Sequence, residues 1–168
     1  STILSSANAV GTGISCGIDS FHAISQHTNT PYPNHNISHL AFNNVGSHGE
    51  GEDALKLYNE RKEQAKNFAK EFNFEFVEGN SNIHDIIPQN HFMTHTYTST
   101  FAIYALQKLY SVFYYASGRR FSEFTLSDVY GKDCSYYDLL LSDVFSTSKL
   151  RIFSEGATST RLEKTKRV

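Results

Sequence analysis

The clearest chemical signal in the chain is a run of small and polar residues close to its beginning. Residues 15–20 are Ser-Cys-Gly-Ile-Asp-Ser, after an apolar stretch at 9–14 and before a helical pattern that opens at Phe21. A strand that turns tightly into a helix directs unpaired backbone N–H groups, and the positive end of the helix dipole, towards one point. Phosphate groups commonly occupy such a point, so the run predicts a nucleotide-binding turn.

Two widespread phosphate-binding motifs do not describe this turn. The sequence contains no Gly-x4-Gly-Lys-Ser/Thr loop. Gly11-Thr12-Gly13 opens like the dinucleotide-binding fingerprint, but Cys16 stands where that fingerprint needs its third glycine. The run instead resembles the Ser-Gly-Gly-x-Asp-Ser signature of the PP-loop ATP pyrophosphatases, with Cys16 in place of the first glycine. Within that family, the layout of the chain is most similar to that of the 7-cyano-7-deazaguanine synthases.

The resemblance implies cofactors and a reaction. Enzymes of this family bind ATP with Mg²⁺ and adenylate a substrate oxygen, on a carboxylate or an amide-like group, while pyrophosphate leaves. The protein holds the phosphates in line and neutralises the charge that grows on the leaving group. The implied function is therefore that of an ATP-dependent ligase or synthase, whose acceptor would be an unidentified small molecule or modified base.

The resemblance also assigns roles to residues. The turn would bind the phosphates, Asp19 and Ser20 would act in catalysis, and Asp19 would be the candidate ligand of Mg²⁺. The end of the second predicted strand would bind adenosine. The residues assigned to cofactor binding in these two places are Ser15, Cys16, Gly17, Ile18, Asp19, Ser20, Ala41, Phe42 and Asn43.

Two further segments carry small residues followed by cations. After the fifth predicted strand, residues 156–165 are Gly-Ala-Thr-Ser-Thr-Arg-Leu-Glu-Lys-Thr, and Arg161 and Lys164 would be catalytic groups that hold the leaving pyrophosphate. The alternative is a helix start, in which Thr160-x-x-Glu163 is a capping box and the cations are solvated. The segment after the fourth predicted strand offers two more candidates for cofactor binding, with an ordinary turn as the alternative: Gly118 and Arg119.

Histidines and cysteines suggest other chemistry. His91 and His95 have the spacing of two metal ligands on a helix, and His84 lies nearby in sequence. However, Phe92 replaces the glutamate of a metalloprotease motif, and no cysteine or acidic third ligand is evident. His95 is therefore interpreted as part of a substrate pocket or of the surface. Cys16 at a helix N-terminus should have a lowered pKa, which leaves a sulfur-transfer or redox protein as an alternative function.

The elements that must position these residues alternate along the chain. Such alternation predicts an α/β fold, a three-layer αβα sandwich around a five-stranded, mainly parallel sheet. The family resemblance implies the strand order 3-2-1-4-5. Residues 28–37, 43–51 and 79–93 are predicted loops. The predicted strands are 9–14, 37–42, 74–77, 111–115 and 150–153, and the predicted helices are 18–27, 52–72, 95–109 and 136–145.

Composition limits the class of protein. The 168 residues, 39% hydrophobic and 19% charged, suit one globular domain over 1–168. A net charge of −2 without a basic block before the last eight residues argues against binding to duplex nucleic acid, and no apolar run approaches the length of a membrane span. Two cysteines suit a reducing cytoplasm.

Three expectations concern the chain as a whole. The sequence ends inside what looks like a helix, so we expect the domain to be truncated at its C-terminus. The 7-cyano-7-deazaguanine synthases carry a cysteine-rich zinc site towards their C-terminus; this sequence has no such cluster, so that part either lies beyond Val168 or was never present. A homodimer is compatible with the sequence. A nucleotide-binding module without catalysis, such as the universal stress proteins of the same broad fold, is the other alternative function.

Overall fold

A single five-stranded sheet forms the centre of the protein. The computed structural model describes residues 8–47, 49, 51–127 and 133–168. In chain order, the strands are β1 (Ala9–Gly13), β2 (His39–Asn44), β3 (Glu75–Asn80), β4 (Tyr110–Ala116) and β5 (Arg151–Glu155). All four pairings between neighbouring strands are parallel, and the strand order is β3-β2-β1-β4-β5. The predicted fold class and strand order are therefore confirmed.

Helices cover both faces of this sheet. The described residues form α1 (Ile18–Gln26), α2 (Glu52–Glu71), α3 (Ile83–Ile86), α4 (His91–Ala105), α5 (Asp138–Val144) and α6 (Arg161–Arg167). On one face, α1 and α2 share a core with Leu40 and Phe42. On the other face, Ile103 of α4 and Phe145 at the end of α5 pack with Phe113. The sheet is thus the middle layer of three.

The central strand β1 consists of small residues because both of its faces are covered. Val10 belongs to the core beneath α1 and α2. Gly11 faces the opposite side, where an added Cβ would lie 2.6 Å from the ring of Tyr110, so a larger residue would push that ring away. Successive strand residues point to opposite faces, and Gly13 therefore shares the α4 side of the sheet with Gly11.

The segment between β3 and β4 differs most from its prediction. Residues 79–93 were expected to be loop, yet they contain the end of β3, all of α3 and the start of α4. The helix expected at 95–109 begins at His91, where the Asn90 side chain accepts a hydrogen bond from the Phe92 N–H, and ends at Ala105. Its apolar periodicity is obscured because buried positions of α4 hold threonines: Thr96, Thr98 and Thr100.

The topology directs ligands to one edge of the sheet. The strand order reverses between β1 and β4, and open α/β sheets bind ligands beyond the carboxyl ends of the strands at such a point. The predicted turn at 15–20 follows β1 at this edge. In the part of the chain that the structure describes, no helix has the length and apolar character that a membrane crossing requires.

Candidate functional site

The turn between β1 and α1 has the backbone geometry of an anion-binding turn. Cys16 lies in the left-handed region, with φ of 58°, which non-glycine residues seldom adopt. Gly17 is the N-cap of α1 and provides no side-chain cap, so the N–H groups of the first helical turn have no intrahelical acceptor. Among the described residues, none accepts a hydrogen bond from the N–H of Ile18, Asp19 or Ser20.

Two hydroxyl groups brace this turn from within. Ser20 Oγ donates to the Gly17 carbonyl at 2.8 Å, and Ser15 Oγ accepts from the Gly17 N–H at 3.3 Å. The two hydroxyl oxygens lie 3.4 Å apart. The serines therefore fix the shape of the turn, in addition to any contact with a ligand that the sequence predicts for them.

A cavity of about 340 Å³ opens beside the turn, on the α4 side of the sheet. Six residues with a predicted role line it, namely Ser15, Asp19, Ser20, Ala41, Phe42 and Asn43. The structure thus brings the predicted phosphate turn and the predicted adenosine-binding strand end to one cavity. Gly13 also lines it, and a Cβ added there would meet no atom within 4 Å, so this glycine leaves the strand end open to a ligand.

The lining of this cavity also includes residues outside the two predicted segments. His95, interpreted from the sequence as part of a substrate pocket or of the surface, lines it, and so do Arg61 of α2, His91 of α4 and Tyr115 of β4. Sequence reasoning missed Arg61 and Tyr115. Arg61 is exposed and makes no ion pair with any described residue. In the sequence, its surroundings are typical of a solvated helix face, so only the crossing of α2 over the turn identifies it.

The thiol of Cys16 is not activated by its position. Its Sγ lies 3.9 Å from the Arg61 carbonyl oxygen and packs against the core beneath α1 and α2. Burial raises the pKa of the Cys16 thiol, and the positive charge of Arg61 opposes this only in part. The expectation of a lowered pKa is therefore wrong, because the desolvation of the thiol outweighs the charge of Arg61.

A second cavity of about 330 Å³ lies on the other side of Asp19. Its lining includes the predicted residues Gly118, Arg161 and Lys164, and also Arg120, which the sequence analysis did not single out. Asp19 borders both cavities. The two segments predicted to act on phosphate therefore converge on the same carboxylate from different parts of the chain.

The two predicted pyrophosphate-binding cations differ in their availability. Lys164 is 3% exposed, and its Nζ donates to Asp19 Oδ1 and to the Ser117 carbonyl, each at 2.7 Å. The side chain of Arg161 is 80% exposed, with a guanidinium nitrogen 3.9 Å from Asp19 Oδ2. Arg161 is therefore free to contact a ligand, whereas two of the three N–H groups of Lys164 are already used. The predicted capping box at the start of α6 is present.

Arg119 faces away from both cavities. Its guanidinium donates to Asp133 Oδ2 at 3.1 Å and to Ser135 Oγ at 3.1 Å, and it lies 4.0 Å from the ring centroid of Tyr136. These partners hold it against the segment that precedes α5. The geometry therefore does not favour the predicted role of Arg119 in the cofactor site. The next residue, Arg120, lines the second cavity instead.

Asp19 could hold Mg²⁺ only with help from the ligand. One carboxylate oxygen accepts from Lys164, and within the described ranges no other acidic group, histidine or cysteine joins Asp19 in a metal-binding cluster. Mg²⁺ commonly takes one or two carboxylates and completes its octahedron with water and phosphate oxygens. The residues present fit a phosphate-bound Mg²⁺ and do not form a cage for the free ion.

His95 has partners that the sequence analysis did not find. Its Nε2 lies 3.3 Å from Asp133 Oδ1, and its Nδ1 lies 3.4 Å from the Tyr115 hydroxyl. Burial acts to lower the pKa of His95, but hydrogen bonds and charge from Cys134 and Asp133 outweigh it and raise that pKa. No signal in the sequence connects these residues, since Tyr115 lies 20 positions and Asp133 lies 38 positions after His95.

Comparison with family models, with curated proteins and with solved structures yields no match to this chain. The functional argument therefore depends on the residues of the turn, on the two cavities and on the charges around them.

Proposed function

We propose that this chain is a PP-loop type domain that binds ATP and adenylates a substrate oxygen with release of pyrophosphate. The observation that best supports this proposal is the conformation of the turn after β1. Cys16 has a φ of 58° at the position where the resembled signature has a glycine, and the bare N–H groups that follow it belong to the turn that lines the cavity. Free backbone N–H groups at the N-terminus of a helix are what a phosphate-binding turn requires.

The arrangement of the two cavities suits the binding of different parts of ATP in each. The end of β2 supplies backbone groups and the Asn43 amide to an adenine in the first cavity. The N–H groups of the turn would hold the phosphates, and Arg61 would contribute a cation from α2. Arg120 and Arg161 border the second cavity, and Arg120 is paired there with Glu123 at 3.2 Å. A leaving pyrophosphate would therefore meet chiefly the exposed charge of Arg161. Mg²⁺, when bound with ATP, would supply further charge neutralisation at the phosphates beside Asp19.

The acceptor would approach from the wall formed by α4 and β4. His91 presents its ring nitrogens there, which suits a polar acceptor oxygen such as a carboxylate or an amide, whereas the ring of His95 is held by Asp133 and Tyr115. Holding that oxygen in line with the α-phosphate is the principal catalytic requirement of this chemistry.

One observation favours a second candidate, a nucleotide-binding module without catalysis. Lys164, the only one of the two predicted pyrophosphate ligands that is buried, is tied to Asp19 and to the Ser117 carbonyl. A lysine used in this way stabilises the turn and does not by itself neutralise a leaving group. The sulfur-transfer alternative is not favoured, because the pKa of Cys16 is raised.

The test is calorimetric titration of the chain with ATP in the presence of Mg²⁺. Gly13→Val adds a side chain to the open side of the strand end without a forbidden φ, so it should abolish ATP binding while the protein stays folded. Arg61→Ala should weaken ATP about tenfold, the loss of one charged hydrogen bond, and leave adenosine binding unchanged. Lys108→Val, on the exposed turn before β4 at the opposite edge of the sheet, is the matched control and should bind like the wild type.

A second measurement separates the two candidates. Pyrophosphate release is followed with Mg²⁺-ATP and a panel of carboxylates and amides. Release that depends on an acceptor supports the adenylating enzyme, whereas ATP binding without release supports the module. Tight ATP binding by folded Gly13→Val would contradict both, since the ligand would then lie elsewhere.

A further inference from the structure

Three side chains of the types that bind metals converge around His95, which lines the first cavity. α4 contributes His95, and the segment that enters the short 3-10 helix Cys134–Tyr137 contributes Asp133 and Cys134. Their donor atoms all lie within 4.8 Å of one another. His95 Nε2 and Asp133 Oδ1 are 3.3 Å apart, and Cys134 is fully buried with 0% exposure.

The donor set and its spacing fit a zinc-type ion. Imidazole, thiolate and carboxylate are the three classes of ligand that Zn²⁺ takes in proteins. Two ligands with metal bonds of about 2.0–2.2 Å at tetrahedral angles lie about 3.4 Å apart. The separation of 3.3 Å between His95 Nε2 and Asp133 Oδ1 matches this distance. About 3.6 Å is expected between sulfur and the other donors, so the thiol, which lies within 4.8 Å of them, needs to move by at most about 1.2 Å.

The surrounding residues orient all three donors. Nδ1 of His95 faces the Tyr115 hydroxyl at 3.4 Å, which leaves Nε2 for the metal. Asp133 Oδ2 accepts from Arg119 at 3.1 Å, and Oδ1 accepts from the Ser135 N–H at 2.9 Å, which leaves the second lone pair of Oδ1 for the metal. The Sγ of Cys134 accepts from the Thr96 N–H at 3.4 Å. Histidine and carboxylate ligands in metal sites are commonly held by such outer partners, whose loss typically weakens binding 10–100-fold.

We propose that His95, Asp133 and Cys134 bind one divalent ion of the zinc class, with a fourth position directed towards the cavity that His95 lines. Three protein ligands and one open position are the arrangement of sites where a metal contacts water or substrate. This site shares no residue with the nucleotide turn, so it does not depend on ATP binding. An ordinary ion pair between His95 and Asp133, supported by the neighbouring thiol, is the competing explanation.

Cobalt substitution tests the proposal on the intact chain. Co²⁺ accepts the same donors and gives an intense near-ultraviolet charge-transfer band when a thiolate is among them. The chain contains two cysteines, Cys16 and Cys134. We expect the metal-free protein to bind one Co²⁺ with this band, and Zn²⁺ to displace it. The Cys16→Ser protein should keep the band, because Cys134 is then the remaining cysteine.

Two further variants complete the test. Cys134→Ser should lose the charge-transfer band, and Tyr115→Phe should keep it while the affinity for Zn²⁺, measured against a competing chelator, falls about tenfold. No band in the wild type, or loss of the band in Cys16→Ser, would overturn the proposal even if Cys134→Ser does not fold. Unchanged zinc affinity in a folded His95→Gln protein would do the same.

Discussion

The Asp19–Lys164 pair predicts an unequal response to removing either partner. The Lys164 ammonium is 3% exposed and is held by the Asp19 carboxylate and the Ser117 carbonyl. The Asp19 side chain is 24% exposed and borders two cavities that water can enter. When Lys164 is removed, water can therefore still reach the Asp19 carboxylate. When Asp19 is removed, the Lys164 ammonium keeps only the Ser117 carbonyl as a partner.

The burial difference sets the magnitudes. Asp19→Ala leaves a buried ammonium with one carbonyl partner, and breaking a buried pair in this way costs about 3–5 kcal/mol. Lys164→Met leaves a carboxylate that water can reach and one buried carbonyl without a donor, which costs about 1–3 kcal/mol. The Asp19→Ala/Lys164→Met protein removes both charges, so its loss should be smaller than the sum of the two single losses.

Urea unfolding followed by far-ultraviolet circular dichroism measures all four proteins. We expect the unfolding midpoint to fall in the order wild type, Lys164→Met, Asp19→Ala, with equal slopes. A larger loss for Lys164→Met than for Asp19→Ala, or additive losses in the double variant, would refute the argument from burial. The order also bears on the proposed function, because Asp19→Ala would disturb the turn and so weaken the proposed binding of ATP, even if Asp19 does not contact the nucleotide.

Three further outcomes concern backbone strain and burial. Cys16→Gly should raise the free energy of unfolding by about 1 kcal/mol, because the left-handed φ of 58° strains a residue with a Cβ. Gly156→Ala should lower it by about 1–3 kcal/mol, since φ is 86° and the new Cβ would lie 2.9 Å from Lys164 Nζ. Burial raises the pKa of the Asp138 carboxyl to about 6. The contribution of its protonated form to the free energy of unfolding is therefore full below about pH 3.8 and is lost as the pH rises through about 6. This loss, about 3 kcal/mol, should be absent in Asp138→Asn.

Each of these outcomes has a control in the same chain. Asn73→Gly relieves a φ of 64° at an asparagine, which tolerates this region, so its gain should be smaller than that of Cys16→Gly. Gly118→Ala adds a Cβ in open space and should change stability by less than about 0.5 kcal/mol. Equal gains in the free energy of unfolding for Cys16→Gly and Asn73→Gly would contradict the argument from strain, and equal losses for Gly156→Ala and Gly118→Ala would do the same. Parallel pH profiles of stability for Asp138→Asn and the wild type would contradict the argument from the pKa of Asp138.

Local patterns predicted the turn and most of the elements, whereas contacts between distant segments could not be predicted. The small residues after β1 and the helical spacing of apolar residues in α2 can each be seen within a short stretch of sequence. The sequence therefore predicted both the turn and this helix. The threonines of α4 concealed its true start, since a buried hydroxyl that bonds to its own helix backbone looks polar in the sequence. The burial of Lys164 depends on Asp19, 145 residues away, and no spacing rule reports it.

The same limitation applies to the candidate metal site. His95 and His91 were recognised as a pair, but Asp133 and Cys134 reach His95 only because α4 and the 3-10 helix before α5 pack together on one face of the sheet. Arg119 illustrates the converse case. Its position after β4 suggested a ligand contact, but the neighbouring acidic and aromatic residues hold it elsewhere.

The Asp19–Lys164 contact also has a consequence for the order of folding. It joins residues 145 positions apart, in a parallel sheet where every strand pairing already closes a long loop. Such topologies fold slowly, because loop-closure entropy is lost before the contacts that compensate for it are made. During synthesis, the turn that follows β1 emerges well before α6, yet its carboxylate has no ammonium partner until α6 docks. We infer that this turn reaches its final shape among the last events of folding, although it precedes its lysine partner by 145 residues.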